Sequence, residues 1–253
     1  MNEEEYLTKI KLMAKIVQPF IAPIFLIPTP SSGPNDIITN GTITFVDTGK
    51  QKLYITCKHV WDEYITLHNK SPEVTIAIGL GNASKPIIFN DAILIDDSTD
   101  YDIATLEFPN TEYIIDSKKQ FISVPSWPPV RAEVNEFTFV AGFPGLHRVP
   151  HKDHTACTFH ETLFGDDVSS SSERHFVLAD TQHQRRQVSF RTGLPEFGRL
   201  GGLSGAPAFA NRNKKAELCG FMYEGGDGTE AIVFIAHASH IGSDGHIIRG
   251  GLI

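Results

Sequence analysis

Ser204 lies in the run Gly201-Gly202-Leu203-Ser204-Gly205-Ala206-Pro207, a serine fenced by glycines. Such a run turns the backbone sharply, exposes the hydroxyl and leaves nearby N–H groups free to face a developing oxyanion. The chemistry this suits is nucleophilic attack, although a Gly-Ser-Gly turn also serves as a plain strand connection. A serine hydroxyl needs a base to take its proton and a carboxylate to orient that base. Two upstream segments offer them. Leu53-Tyr54-Ile55-Thr56-Cys57-Lys58-His59-Val60 is an apolar, β-branched run ending in histidine, which predicts His59 at a strand terminus. Asp100-Tyr101-Asp102-Ile103-Ala104-Thr105-Leu106-Glu107-Phe108 puts an acid directly before another short strand, with Asp102 as the orienter. A single histidine or aspartate at such a place is most often structural, but the set His59, Asp102, Ser204, each at a strand edge, points to a hydrolytic site.

Those three motifs, with Val140-Ala141-Gly142-Phe143-Pro144-Gly145 as a fourth, resemble those of trypsin-like, chymotrypsin-fold serine peptidases of the bacterial HtrA and glutamyl-endopeptidase type. The resemblance covers about residues 40 to 240. It implies an all-β chain of two antiparallel six-stranded β-barrels with the active site between them. It also implies His59 as base, Asp102 as its orienter, Ser204 as nucleophile, and the amides of Gly202 and Ser204 as the oxyanion hole. Substrate would be met by Gly198 and Arg199, and by Tyr223, Glu224 and Gly225 on a pocket-wall strand that takes an extended peptide as an added strand. The residue before the nucleophile is Leu203, where digestive relatives keep an aspartate that pairs with a newly cut N-terminus, so activation by that ion pair is not expected. Gly198 stands where trypsin keeps its pocket acid, so a preference for Lys or Arg gains no support there. His237 and His240 could approach the pocket, but Met222 holds the position of the glutamate-reading histidine.

The elements that must place these residues read as β. Short β-branched and aromatic runs recur between Gly, Pro and Asn: 41–46, 53–57, 74–78, 137–140, 175–178 and 232–236. Ile122-Ser123-Val124-Pro125-Ser126-Trp127-Pro128-Pro129 cannot sustain a ladder and reads as a linker. Residues 3–17 carry Leu7, Ile10, Met13, Ala14 and Val17 at helical spacing, with Glu3 to Glu5 first and Lys11 and Lys15 later, as the helix dipole favours. The organisation expected is a helix and lead-in over 1–20, a first barrel over 21–121, a linker over 122–130 and a second barrel over 131–253.

With 253 residues, 41% of them hydrophobic, one two-lobed unit has enough material for a core. The net charge of −8 argues against a nucleic-acid surface. No stretch has the form of a secretory leader or of a membrane span, which suggests a cytoplasmic protein, and Cys57, Cys157 and Cys219 suit buried thiols in a reducing compartment. His147, His151, His154 and His160 with Cys157 match no zinc spacing. No cofactor or metal is expected; the partners expected are a polypeptide substrate and a regulatory protein. The function expected is a serine endopeptidase. A catalytically silent peptide-binding module and a non-peptide acyl hydrolase remain as alternatives, and Gly165 to Glu173 reads as an exposed loop open to nicking.

Overall fold

In the computed structural model, residues 8, 12–13, 15–30, 36–80, 86–109, 111–145, 148–150, 157–159, 161–179, 188–189, 200–225 and 232–249 are described. Strands dominate, in two antiparallel sheets. The first contains β1 (Ile21–Pro28), β2 (Thr39–Asp47), β3 (Lys52–Thr56), β4 (Val74–Ile78), β5 (Ile87–Ile88), β6 (Ile93–Ser98) and β7 (Ile103–Glu107), in the order β5-β4-β1-β2-β3-β7-β6. A short β8 (Ile122–Ser123) runs parallel to β2. The second sheet contains β9 (Phe137–Gly142), β12 (Thr162–Ser171), β13 (His175–Ala179), β15 (Pro207–Arg212), β16 (Lys215–Gly225) and β17 (Ile232–His237), with β14 (Val188–Ser189) on its margin; β10 (Arg148–Pro150) and β11 (Cys157–Phe159) form a separate hairpin. In the second sheet β12 pairs with both β9 and β13, so six strands close into a barrel. The first sheet is curled, and its end strands β5 and β6 do not pair with each other among the described residues. The all-β, two-lobed architecture is the chymotrypsin-like one, with the first lobe left open.

Patterning explains most of this. β1, with sequence IAPIFLIP, is almost continuously apolar and buried along six of its eight residues, as a strand covered on both faces must be. The first lobe encloses an aromatic cluster of Phe45, Tyr54, Phe89 and Phe108, and the second packs Val140, Phe164, Phe176, Leu178, Leu203 and Ile235. Between them runs a seam in which Val46, Leu53, Ile55 and Ile103 meet Phe139, Phe209, Leu218 and Phe221. Met13 and Val17 are buried in that seam. The described residues of the N-terminal stretch, Thr8, Leu12, Met13 and 15–17, are helical, with Leu12 and Ile16 facing out. The helical spacing read from the sequence thus corresponds to a packing face here.

One element departs from expectation. The run ending at His59 is not strand to its end: β3 stops at Thr56, Cys57 is extended at the N-cap, and α1 (Lys58–Lys70) follows. Val60, Trp61 and Tyr64 are buried on its inner face with Leu67 packed beside them, a spacing of 3–4 residues that the β-branched lead-in masks. No described helix is long and apolar enough to cross a membrane.

Candidate active site

Asp102 occupies the turn between β6 and β7 with φ 49°, a left-handed conformation that turns its carboxylate back toward the start of α1. Three contacts then join the two elements. The Lys58 amide donates to the Asp102 carbonyl at 3.2 Å and the His59 amide to Asp102 Oδ1 at 2.9 Å. His59 Nδ1 lies 2.6 Å from Asp102 Oδ2. One carboxylate therefore serves both an open amide of the helix N-terminus and the imidazole. The bond to Asp102 raises the His59 pKa above its ordinary value, against the opposing effect of burial. Half of the His59 side chain remains exposed, at 51% against 23% for Asp102, so the ring's far side stays open to solvent.

Ser204 sits in a turn fastened to both lobes. Its carbonyl accepts from the Thr42 amide at 2.9 Å, Thr42 Oγ1 donates to the Gly202 carbonyl at 2.9 Å and Thr44 Oγ1 to the Gly205 carbonyl at 2.8 Å. On the other side Gly205 N donates to Met222 O at 2.8 Å. Glycine is required at 205, where φ is 91° and a Cβ would overlap the Thr42 carbonyl. At Gly202, with φ 96°, a Cβ would lie 2.6 Å from Gly145 N and 2.7 Å from Phe143 O. The amides of Leu203, Gly205 and Ala206 are bonded to carbonyls of Leu200, Met222 and Leu203. Those of Gly202 and Ser204 donate to no acceptor among the described residues. Leu203 is fully buried in the second-lobe core, so an apolar side chain anchors the turn.

The Ser204 hydroxyl lies beside the thiol of Cys57, and among the described residues no hydrogen bond joins it to His59. Cys57 forms the floor of the site: its Sγ donates to Met222 O at 3.3 Å and comes within 4.8 Å of a His59 ring nitrogen and an Asp102 oxygen. Burial, then the Asp102 charge, hold its thiol well above the usual range. The sequence marked Cys57 only as a buried thiol, and its buried state is observed, as is that of Cys219. Neither its place beneath the three motif residues nor the roles of Thr42 and Thr44 had a sequence signal beyond β-branched strand composition.

The predicted substrate residues divide. Tyr223, Glu224 and Gly225 end β16, where a bulge falls between Met222 and Glu224. β15 pairs with β16 only as far as Phe221, so residues 223–225 lie beyond the paired stretch on the Ser204 side. The Tyr223 hydroxyl lies 3.0 Å from His175 Nδ1. Gly198 and Arg199 fall outside the described residues, as does most of the 147–160 histidine cluster. His237 and His240 are committed elsewhere: their Nε2 atoms donate to the carbonyls of Ser172 and Arg174 at 2.8 and 2.9 Å. His240 also stacks on Tyr101 at 3.8 Å, and Arg174 bonds the Asp100 carbonyl. The two histidines thus brace the 172–175 loop of the second lobe against the turn bearing Asp102.

No family model matches the sequence, and no curated protein matches it. Among solved structures the chain is similar to a thermostable serine protease, AL20, from an extremophilic microorganism, with 11% identity, TM-score 0.47 and 87% of this chain and 91% of that one covered. It is also similar to the protease Anisep from Arthrobacter nicotinovorans, with 11% identity, TM-score 0.49 and coverage of 87% and 90%. A third match is a structure concerned with coupled folding and binding of the disordered Sesbania mosaic virus VPg protein, with 13% identity, TM-score 0.46 and 85% coverage of both chains.

Proposed function

We propose that the chain is a serine endopeptidase working through His59, Asp102 and Ser204. The observation that carries this reading is the double hold of Asp102 on His59, at 2.9 Å through the amide and 2.6 Å through Nδ1. It keeps the proton on Nδ1 and leaves Nε2 as the basic atom on the exposed side. Nε2 takes the Ser204 proton as Oγ attacks a peptide carbonyl, then gives it to the leaving amine, leaving an acyl-enzyme that water hydrolyses by the same route in reverse. The hydroxyl must turn from Cys57 toward His59, a bond of the kind that tightens only when substrate is bound. The uncommitted amides of Gly202 and Ser204 suit the oxyanion, at about 3–4 kcal/mol per donor in comparable sites. Residues 223–225 of β16 suit pairing with an extended substrate backbone. Placement with the HtrA and glutamyl-endopeptidase type rests on the sequence motifs.

The test is intact-mass analysis after exposure to a fluorophosphonate, for the wild type beside Ser204→Ala and His59→Ala. One adduct on the wild type, absent from both variants, is expected. An unlabelled wild type favours the silent peptide-binding reading. Labelling without turnover of any peptide library favours a non-peptide acyl substrate.

A further inference from the structure

The floor of the site has chemistry that the peptidase mechanism does not use. Three side chains of different donor type converge from two places in the fold: Cys57 and His59 from the N-cap and first turn of α1, and Asp102 from the β6–β7 turn. A sulfur, a ring nitrogen and a carboxylate oxygen, one from each, lie within 4.8 Å of one another. The Ser204 hydroxyl borders the thiol as a fourth donor. Zinc takes such sets in tetrahedral geometry, with bonds of about 2.3 Å to sulfur and about 2.0–2.2 Å to nitrogen and oxygen, which sets neighbouring donors roughly 3–4 Å apart. The present cluster, with all three donors within 4.8 Å, is near that spacing.

We propose that Cys57, His59 and Asp102 form an inhibitory site for a divalent transition-metal ion of the zinc class, with Ser204 Oγ or water as the fourth ligand. A thiolate and an imidazole together select such an ion over magnesium or calcium, which take oxygen donors. On binding, the Cys57 S–H bond gives its proton to solvent and the thiolate bonds the metal; nothing is oxidised or reduced. The same ion engages His59 and Asp102, so the Ser204 hydroxyl loses its base. Removal of the ion by a chelator restores it. Binding stands apart from the peptidase reading; only the inhibition rests on it.

The experiment titrates the reduced full-length chain with Co²⁺ and reads the near-ultraviolet thiolate-to-cobalt band. In parallel it follows fluorophosphonate labelling under increasing Zn²⁺. One Co²⁺ per chain is expected, with a band that persists in Cys219→Ser and is lost in both Cys57→Ser and Cys57→Ala. Zn²⁺ should suppress labelling of the wild type reversibly, and the concentration needed should rise at least tenfold in Cys57→Ser. A wild type without the band, or a band surviving in Cys57→Ala, overturns the proposal. A Cys57-dependent band on a chain that never labels upholds the metal site while removing the hydrolase reading. Labelling equally sensitive to Zn²⁺ in wild type and Cys57→Ser, with no band, removes the metal site and leaves the hydrolase.

Discussion

Asp102 has two partners in His59, and the two bonds do different work. The one to the amide fixes the first turn of α1; the one to Nδ1 fixes the ring's tautomer and raises its pKa. Asp102→Asn keeps the size and one carbonyl acceptor but loses the charge and offers an NH₂ group that favours the wrong tautomer. We expect the second-order rate of fluorophosphonate labelling to fall by about 10⁴, the scale seen when this role is disrupted in such triads. The pH dependence separates this from misfolding. His59 acts in its neutral form, so labelling is lost as pH falls through its raised pKa, and without the carboxylate that inflection should move to lower pH. An unchanged inflection in Asp102→Asn would remove Asp102 from the orienting role.

At the scale of elements, the strands read from the sequence were those with a compact β-branched or aromatic run between turn residues. β12 was not among them, because its polar stretch 165–171 has the composition of the exposed loop expected there, yet pairs with β9 and β13. The expected 74–78 coincides with β4, and those at 41–46, 137–140, 175–178 and 232–236 fall inside β2, β9, β13 and β17. α1 was not legible, because its first buried residue, Val60, directly continues the run of β3. The sequence singled out the three motif residues because each stands in a short local pattern, and of their expected contacts the structure holds that of His59 with Asp102. What joins them was not: Cys57 to Met222, Thr42 to Gly202 and His240 to Arg174 are contacts between residues 66 to 165 positions apart that carry no periodic signal. The histidine brace yields a prediction of its own. Burial lowers His240 and pushes His237 from 6.5 down to about 4, so folding favours the neutral rings. Their stabilising effect is complete above about pH 6.5 and is lost as pH falls toward 4. Melting temperature followed from pH 7 to 4 should therefore fall less steeply in His237→Gln than in the wild type. Parallel curves would show that the ring's titration is not linked to folding.

At the scale of the whole molecule, the seam between the lobes decides whether the parts of the site stay in register, since Ser204 and His59 belong to opposite sides of it. Most of the seam is apolar, but one margin is ionic. Lys119 Nζ donates to the carbonyls of Gln18 and Ile21 at 2.8 and 2.7 Å, tying the N-terminal lead-in to the first lobe. Its charge is felt by Glu161, which immediately precedes β12 of the second lobe and has a buried Oε1 without a hydrogen-bond partner among the described residues. Burial pushes Glu161 from 4.5 to about 7 and Lys119 from 10.5 down to about 8. For a carboxyl raised in the folded state, stability is full below the unfolded value of 4.5 and is lost as pH climbs through about 7. The difference corresponds to about 3 kcal/mol at alkaline pH. Glu161→Gln copies the protonated acid at every pH, so at pH 5 it should melt close to the wild type and at pH 8 several degrees above it. Lys119 loses its counter-charge in that variant but keeps its bonds to the Gln18 and Ile21 carbonyls, so the gain at pH 8 is expected to be smaller than the full difference of about 3 kcal/mol. A difference between Glu161→Gln and wild type that stays constant from pH 5 to 8 would mean that the carboxyl is already ionised at pH 5 at no cost to the seam.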